Sequence, residues 1–380
     1  MKNIFVLISL SFMLFFQGCT TKEIVPKVHI AYPPYPQKPR IVYLDTYRGG
    51  KSVETTSSFD LLLGEDSSPK TQSQIAKPYG VAINSNKLYV ADSGNNAVFV
   101  IDMGTKDTLD MLGTDNIGGL RAPATIAFDD SGMVYVSSPM ERVIKGYDQN
   151  GTYTYVHGGR LEFTHPTGIA IDKKLNRLYV VDTKAHHFKA FDINTKELLY
   201  TVGKRGKKDA EFNFPTNITV DKRNGNILVA DTQNFRIQIF DKDGNFIRTF
   251  GKVGDRAGMF ARPKGVAVDT EGHIYVTDTA FNNVQIFDQE GNVLMWFITA
   301  GYDEGQTRLI AGIWIDENDI IAIADAFSGR VQTFQYLSES WKKRNPQKYQ
   351  EYLDYEPEVK IFIPSINDRK SKTKEKKKWE

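Results

Sequence analysis

The chain has 380 residues, with 48 Lys or Arg against 46 Asp or Glu for a net charge of +2, and a single cysteine. That length can bury a core without covalent staples, and one cysteine excludes internal disulfides and thiolate metal clusters. Arg369 to Glu380 hold seven Lys or Arg and two Glu, so the rest of the chain sums to −3; a slightly acidic body is a poor match for phosphate contacts, which need clustered cations, and no nucleic-acid partner is expected.

Residues 1–18 read as an export signal. Lys2 precedes an apolar run from Ile4 to Phe16 that only Ser9 and Ser11 interrupt. The run is well short of the roughly 20 residues that span a bilayer, but it suits the apolar region of a secretory signal. Gly18-Cys19 after that run resembles a bacterial lipobox, although Phe16 and Gln17 replace the usual Leu and small residue. The resemblance implies cleavage before Cys19 and acylation of its thiol and new amino group. An uncleaved anchor, or an ordinary buried cysteine, is the alternative. Stable attachment needs more than one acyl chain, which such processing supplies. Thr20, not Asp, follows the cysteine, so the destination read is a lipid-anchored place in the cell envelope, at the outer membrane and facing the periplasm or the exterior. Residues 19–40 are a linker whose Tyr32 to Pro39 segment is proline-rich, which predicts a semi-rigid polyproline II spacer.

Residues 41–338 are repetitive. The stretch Phe214 to Gly251 sets the pattern. Ile218 to Val220 is a short strand closed by Asp221, and Asn224-Gly225 makes a hairpin turn because both residues tolerate positive φ. Ile227 to Ala230, ended by Asp231, is the second strand. Arg236 to Phe240 is the third, with Gln238 alternating against Ile237 and Ile239. Phe246 to Phe250 is the fourth, ended by Gly251. A leading proline recurs at Pro78, Pro123, Pro166, Pro215 and Pro263, at intervals of 45, 43, 49 and 48 residues, and Gly312 lies 47 residues after its equivalent Gly265. Four strands at a period in the mid forties is the mark of a propeller blade, and one copy cannot bury its own faces.

The blocks Pro263 to Asp269, Ile274 to Thr279 and Asn283 to Asp288 resemble the NHL-repeat family. The resemblance covers roughly residues 75–337 and implies an all-β fold, a six-bladed β-propeller of four-stranded antiparallel blades. The second copy departs with Ser138-Pro139 in place of Asp-Thr, and the sixth with Trp314 in a slot that is otherwise small. The sixth copy shows three strands, Gly312 to Ile315, Ile320 to Ala324 and Val331 to Tyr336. An N-terminal strand is therefore expected to complete it and remove an exposed edge. Ile41 to Leu44, Phe59 to Leu63 and, near the other terminus, Val359 to Ile363 all compete for that place. In residues 339–380, Ser340 to Tyr355 predict a short helix on the rim, and the basic tail beyond it predicts disorder.

NHL-type propellers serve as binding platforms, sensors, RNA binders and lyases, so the resemblance leaves function open. Two readings stand. In the first, the chain is a non-enzymatic scaffold or sensor that binds a cell-envelope protein or peptide, or another ligand, and carries no cofactor. In the second it is a metal-dependent lyase or lactonase-type hydrolase with an axial Ca or Zn. A catalytic zinc needs about three protein ligands, and the six histidines are scattered: His29 in the linker, His157 ending a fourth strand, His186 and His187 between a second and a third strand, His273 in a turn, and only His165 just before a leading proline. Asp92, Asp182, Asp231, Asp278 and Asp325 recur at one slot, which predicts turn caps around the ring and not one convergent site. No P-loop, nucleophile elbow or Cys-x-x-Cys-His motif is present. The longest variable segments join each fourth strand to the next copy: Lys204 to Phe214, Lys252 to Arg262 and Gly301 to Arg308. Loops on a rigid scaffold are where binding concentrates, which makes His165, Arg205, Arg256, Arg262 and Arg308 the candidates for meeting an anionic partner. The competing account is that Gly and Phe in these loops set the turn between copies while the charges stay solvated.

Overall fold

A computed structural model describes residues 30–50, 73–115 and 117–355; Cys19, the proposed signal, Phe59 to Leu63, Val359 to Ile363 and the basic tail lie outside them. Six antiparallel sheets are arranged as the blades of a propeller. Blade I comprises Pro78–Asn84, Lys87–Asp92, Ala97–Asp102 and Thr108–Leu112. Blade II has Ile126–Phe128, Val134–Ser138, Val143–Tyr147 and Tyr153–Gly158. Blade III has Pro166–Asp172, Arg177–Asp182, His187–Asp192 and Leu198–Val202. Blade IV has Asn217–Val220, Ile227–Asp231, Arg236–Phe240 and Phe246–Phe250. Blade V has Pro263–Val268, Ile274–Asp278, Asn283–Phe287 and Val293–Phe297.

Blade VI contributes Ile310–Ile315, Ile320–Asp325 and Arg330–Tyr336 from the chain's far end. Its fourth strand is Ile41–Tyr47, the first of the three competing segments. It pairs antiparallel with Arg330–Tyr336 in the register Ile41↔Tyr336 to Tyr47↔Val331. Ala31–Tyr32 then folds back on it as a fifth strand. Tyr32 packs edge-on to Phe297 and donates its hydroxyl to the Gly305 carbonyl at 2.8 Å. The second half of the expected spacer is therefore seated on blade VI, because its tyrosine finds an apolar socket that a free linker lacks. The rim helix is two short helices, Glu339–Arg344 and Pro346–Asp354. They break where Pro346 lacks an N–H to donate. Ser338 caps the first helix, accepting from Trp341 N at 3.2 Å. Trp341 and Tyr352 stack and bury against Ala31, Val42 and Leu337.

The core lies between blades. In each blade the second and third strands are buried on both faces, and adjacent blades share apolar clusters such as Tyr179, Phe188, Ile218, Val229 and Phe240 between blades III and IV. The first strands crowd around the axis, and glycine is required there: a Cβ on Gly80 would sit 2.1 Å from the Ala124 carbonyl of the next blade, and one on Gly312 would sit 2.5 Å from the Tyr79 carbonyl.

The aspartate that ends each second strand ties the ring together. The Asp278 carboxylate accepts from Ala261 N and Arg262 N in the loop leading into its own blade, and from Ala280 N and Phe281 N in the turn beyond it, at 2.7–3.3 Å. Asp92 makes the same four bonds with Ala76, Lys77, Gly94 and Asn95. In blade II, Ser138 accepts from Arg121 N at 3.2 Å and donates to Glu141 at 2.6 Å, a smaller version of the same clamp. Asp278→Ala removes all the acceptors from four backbone donors in a fully buried site. The expected loss is about 3 kcal/mol or more by urea unfolding, with Asp278→Ser losing less because blade II already works with serine.

Candidate functional site

The chain direction sorts the connections onto two faces. Loops between blades and turns joining second to third strands share one end of the molecule, as the Asp clamps between them require. Turns joining first to second and third to fourth strands share the other end. His165, Arg205, Arg256, Arg262 and Arg308 all fall on the first of these faces, which we call the loop face.

The loops there are ordered by a device repeated from blade to blade. Phe212 and Phe260 are fully buried and tuck over Gly203 and Gly251, where a Cβ would collide with the ring at 2.4 Å. In blades II to VI a polar residue in the middle of the third strand reaches up to bracket the loop, whereas blade I has Phe99 there. Gln238 accepts from Ala210 N and donates to the Glu211 carbonyl, Gln285 accepts from Gly258 N and donates to the Met259 carbonyl, and Gln332 accepts from Gly305 N and donates to the Gln306 carbonyl, at 2.6–2.9 Å. In blade III the slot holds Lys189, bonded to the Glu162 carbonyl at 2.8 Å and to its carboxylate at 3.0 Å; Lys145 does the equivalent in blade II, reaching Gly119 and Glu141. Gly and Phe thus set the turns between blades, as one of the two sequence accounts has it, and the arginines stand on rigid loops. Arg205, Arg256 and Arg262 are exposed and form no ion pair among the described residues. The Arg308 guanidinium lies between the rings of Tyr302 and Phe327, 4.5 and 5.1 Å from their centroids.

Two of the loop-face histidines make structural contacts. His186 accepts from Phe214 N at 3.1 Å through Nδ1, and His157 packs on Phe191 with ring centroids 4.4 Å apart. His157, His165, His186 and His187 are held below the usual histidine range, first by burial. On the opposite face His273 is raised, first by its 2.8 Å hydrogen bond with Asp269. Among the described residues no three His, Cys, Asp or Glu side chains are placed to hold a metal ion, and the recurring aspartates are consumed by backbone N–H groups. The donors present do not fit an axial Ca or Zn.

Two cavities follow the axis. One, of about 310 Å³, is lined by the first strands, including Tyr79, Thr125, Thr216, Asn217, Lys264 and Trp314. The other, of about 560 Å³, opens on the face away from the loops among Asn84, Phe128, Asp130, Lys173, Lys222 and Glu317. Between the leading proline and the glycine slot most blades carry a small residue (Ala124, Thr167, Thr216, Ala311), whereas blade I has Tyr79 and blade V has Lys264. The Lys264 ammonium sits 4.0 Å from the centre of the Tyr79 ring. Burial, with Arg262 and Lys77 adding positive field, lowers the lysine to about 8, and burial raises the Tyr79 phenol to about 12. Trp314 reaches Phe128 edge-on at 6.1 Å. Sequence reading noted the odd size of Trp314 but missed Lys264 and Tyr79, whose signal is the same break in a small-residue slot.

The NHL-repeat family matches at residues 163–191, 212–240 and 260–287, in blades III, IV and V. The chain is a six-bladed β-propeller, and three of its blades are NHL repeats. It is 32% identical over 108 residues to a gluconolactonase from Zymomonas mobilis, a match covering 25% of this chain; the chain spans 30% of that relative's length. Its fold is similar to an auxiliary nutrient binding protein from Bacteroides thetaiotaomicron, at TM-score 0.54 and 16% identity over 70% of each chain. It is likewise similar to a structural genomics protein of unknown function from the same organism, at 0.55 and 17% over 69% of this chain and 70% of that one. A virginiamycin B lyase from Staphylococcus aureus aligns at 0.52 and 12% over 69% of this chain and 96% of that one.

The histidines set a pH dependence. A group whose folded pKa lies below its unfolded value is protonated first in the unfolded chain. The stability that His157, His165, His186 and His187 contribute is therefore complete above the unfolded value near 6.5 and is lost as pH falls below it. His273 has the opposite sign, contributing below that value and losing its contribution as pH rises through its raised folded pKa. Four outweigh one, so the thermal midpoint should drop between pH 7 and pH 5, by about 2–4 °C for each kcal/mol lost. His157→Phe should make that drop shallower, and an unchanged slope would show that His157 does not titrate with unfolding.

Proposed function

We propose that this chain is a non-enzymatic binding propeller, held at the cell envelope by a lipid on Cys19, whose loop face docks an acidic protein or peptide. The observation that supports this reading is where the large apolar side chains are left in solvent. Ile117, Leu161, Val253 and Tyr302 in the loops between blades, and Met140 and Phe327 in the adjoining turns, are exposed by between 60% (Phe327) and 105% (Leu161). Among the described residues the turns of the opposite face have Leu175, at 38%, and the outer fourth strands carry a second, less exposed set that includes Trp296 at 57% and Leu109 at 52%. Exposed apolar groups gathered at one end mark interaction surfaces, and Tyr and Arg are the residue types that anchor interfaces. Tyr302, Arg308 and Phe327 already form a preorganised stack, and unpaired arginines on neighbouring loops supply charge for carboxylates.

The short match to a gluconolactonase favours a second reading, a metal-dependent lactonase. A fold shared with both a nutrient-binding protein and a lyase does not choose between them. What supports binding is that no three His, Cys, Asp or Glu side chains among the described residues are placed to hold a metal ion.

The test is a crosslinking capture from intact cells with the full chain, alongside Cys19→Ala and the pair Tyr302→Ser/Phe327→Ser. The expected result is an envelope protein enriched with the wild type, lost with Cys19→Ala together with palmitate incorporation, and reduced about tenfold or more by the loop-face pair. Equal enrichment with the pair would place docking elsewhere. Lactone hydrolysis by the purified chain that calcium restores after chelation would replace the binding reading with the enzymatic one.

A further inference from the structure

The axial channel contains an ammonium that no acidic side chain pairs with among the described residues. Lys264 is turned into the cavity of about 310 Å³ and rests on the Tyr79 ring. Among the described residues its ammonium has no ion pair and no hydrogen bond, and the charges that act on it, Arg262 and Lys77, are themselves positive. A half-buried ammonium in that setting is costly unless something anionic joins it. The same cavity has a second unmet donor. Trp314 Nε1 is buried without a hydrogen-bond partner among the described residues, and buried donors are normally satisfied. The Tyr79 hydroxyl adds a third donor, one that stays protonated because its phenol is raised to about 12. The wall also holds the apolar Val81, Ile169, Val266 and Ile313, and its charged residues, Lys222, Arg223, Asp269, Asp316 and Glu317, are not among the charges that act on Lys264.

We infer that this channel is a receptor site for a small organic monocarboxylate, with the carboxylate on Lys264 beside Tyr79 and the apolar body along the wall that ends at Trp314. One unpaired lysine matches one negative charge; a dianion such as phosphate would leave a charge unmatched. The cavity lies in the volume range of small-molecule sites. Arg262 and Lys77 add positive field to the site, which favours an anion over a neutral ligand. The inference rests on the reading of the chain as a binding propeller and gives that reading a ligand class.

The experiment is ligand-observed NMR on the full-length chain with benzoate, cyclohexanecarboxylate and benzyl alcohol as the neutral isostere. The two carboxylates are expected to bind with Kd on the order of 1 mM or tighter, and benzyl alcohol at least tenfold more weakly. Lys264→Gln should weaken benzoate about tenfold or more, and Tyr79→Phe about threefold. Because the charged lysine is the binding form and its value is about 8, raising pH from 7 to 9 should weaken benzoate about tenfold in the wild type and leave Lys264→Gln flat, with the neighbouring Arg262 and Lys77 present in both. No carboxylate binding at 10 mM (roughly the weakest Kd a receptor site of this size would show), equal binding of benzyl alcohol, or undiminished binding by Lys264→Gln would each overturn the site. If no carboxylate binds while the loop face still captures its partner, the channel site falls and the docking reading stands. If benzoate or its analogue binds and is chemically converted, the site stands and the non-enzymatic reading falls.

Discussion

The rest of the molecule depends on one buried carboxylate in each of five blades, with Ser138 in its place in blade II. Asp92, Asp182, Asp231, Asp278 and Asp325 each lie at the end of a second strand with almost no solvent exposure. They accept from backbone N–H groups on the loop before their blade; Asp182, for example, takes Thr164 N and His165 N at 2.6 and 2.8 Å. A carboxylate in that position does more than cap a turn. It fixes where the chain enters the blade, and therefore where the first strand sits against the axis. In blades IV and VI an arginine of the third strand, Arg236 or Arg330, bonds the same carboxylate and also reaches carbonyls of the preceding loop. The hydrogen-bond demand of an otherwise buried loop is met from one point.

Much of this architecture is legible in the sequence because it is local and repeated. Strand runs such as Ile227 to Ala230, turns such as Asn224-Gly225 and the recurring Asp all announce themselves within a few residues. What was not legible is polar chemistry inside a two-sided sheet. Gln238 reads as the solvent side of an alternating strand, yet it is fully buried, as are Gln332 and most of Gln285, because blades cover both faces and the amide is needed by a loop distant in sequence. Pairing across the ring is similarly hidden. Ile41–Tyr47 looks no more like a closing strand than Phe59 to Leu63 does, since the choice is made by a partner almost the whole chain away.

The candidate site divides in the same way. That the arginines of the long loops would share a face follows from the order of strands and turns, and the structure places them so. Lys264 and Tyr79 become neighbours only when blade V and blade I meet around the axis, and neither residue carries a motif. The signal is a departure from repetition, a large or charged side chain where other copies have Ala or Thr. In a repeat protein the copies supply their own internal reference, and the residues that break it are the ones the scaffold alone does not explain.

The closing strand has a consequence for how the molecule reaches its folded state. Ile41 and Tyr336 are paired, so the ring is sealed by a contact of very long sequence separation. In a flexible chain, closing a loop of that length carries an entropy cost of roughly 5 kcal/mol, and such contacts slow folding. Blades I to V contain all four of their own strands and can form as the chain emerges. Once they are in place, the two ends are delivered close together on a rigid arc and most of that cost has already been met. Blade VI is therefore expected to complete last, and its seam to open first.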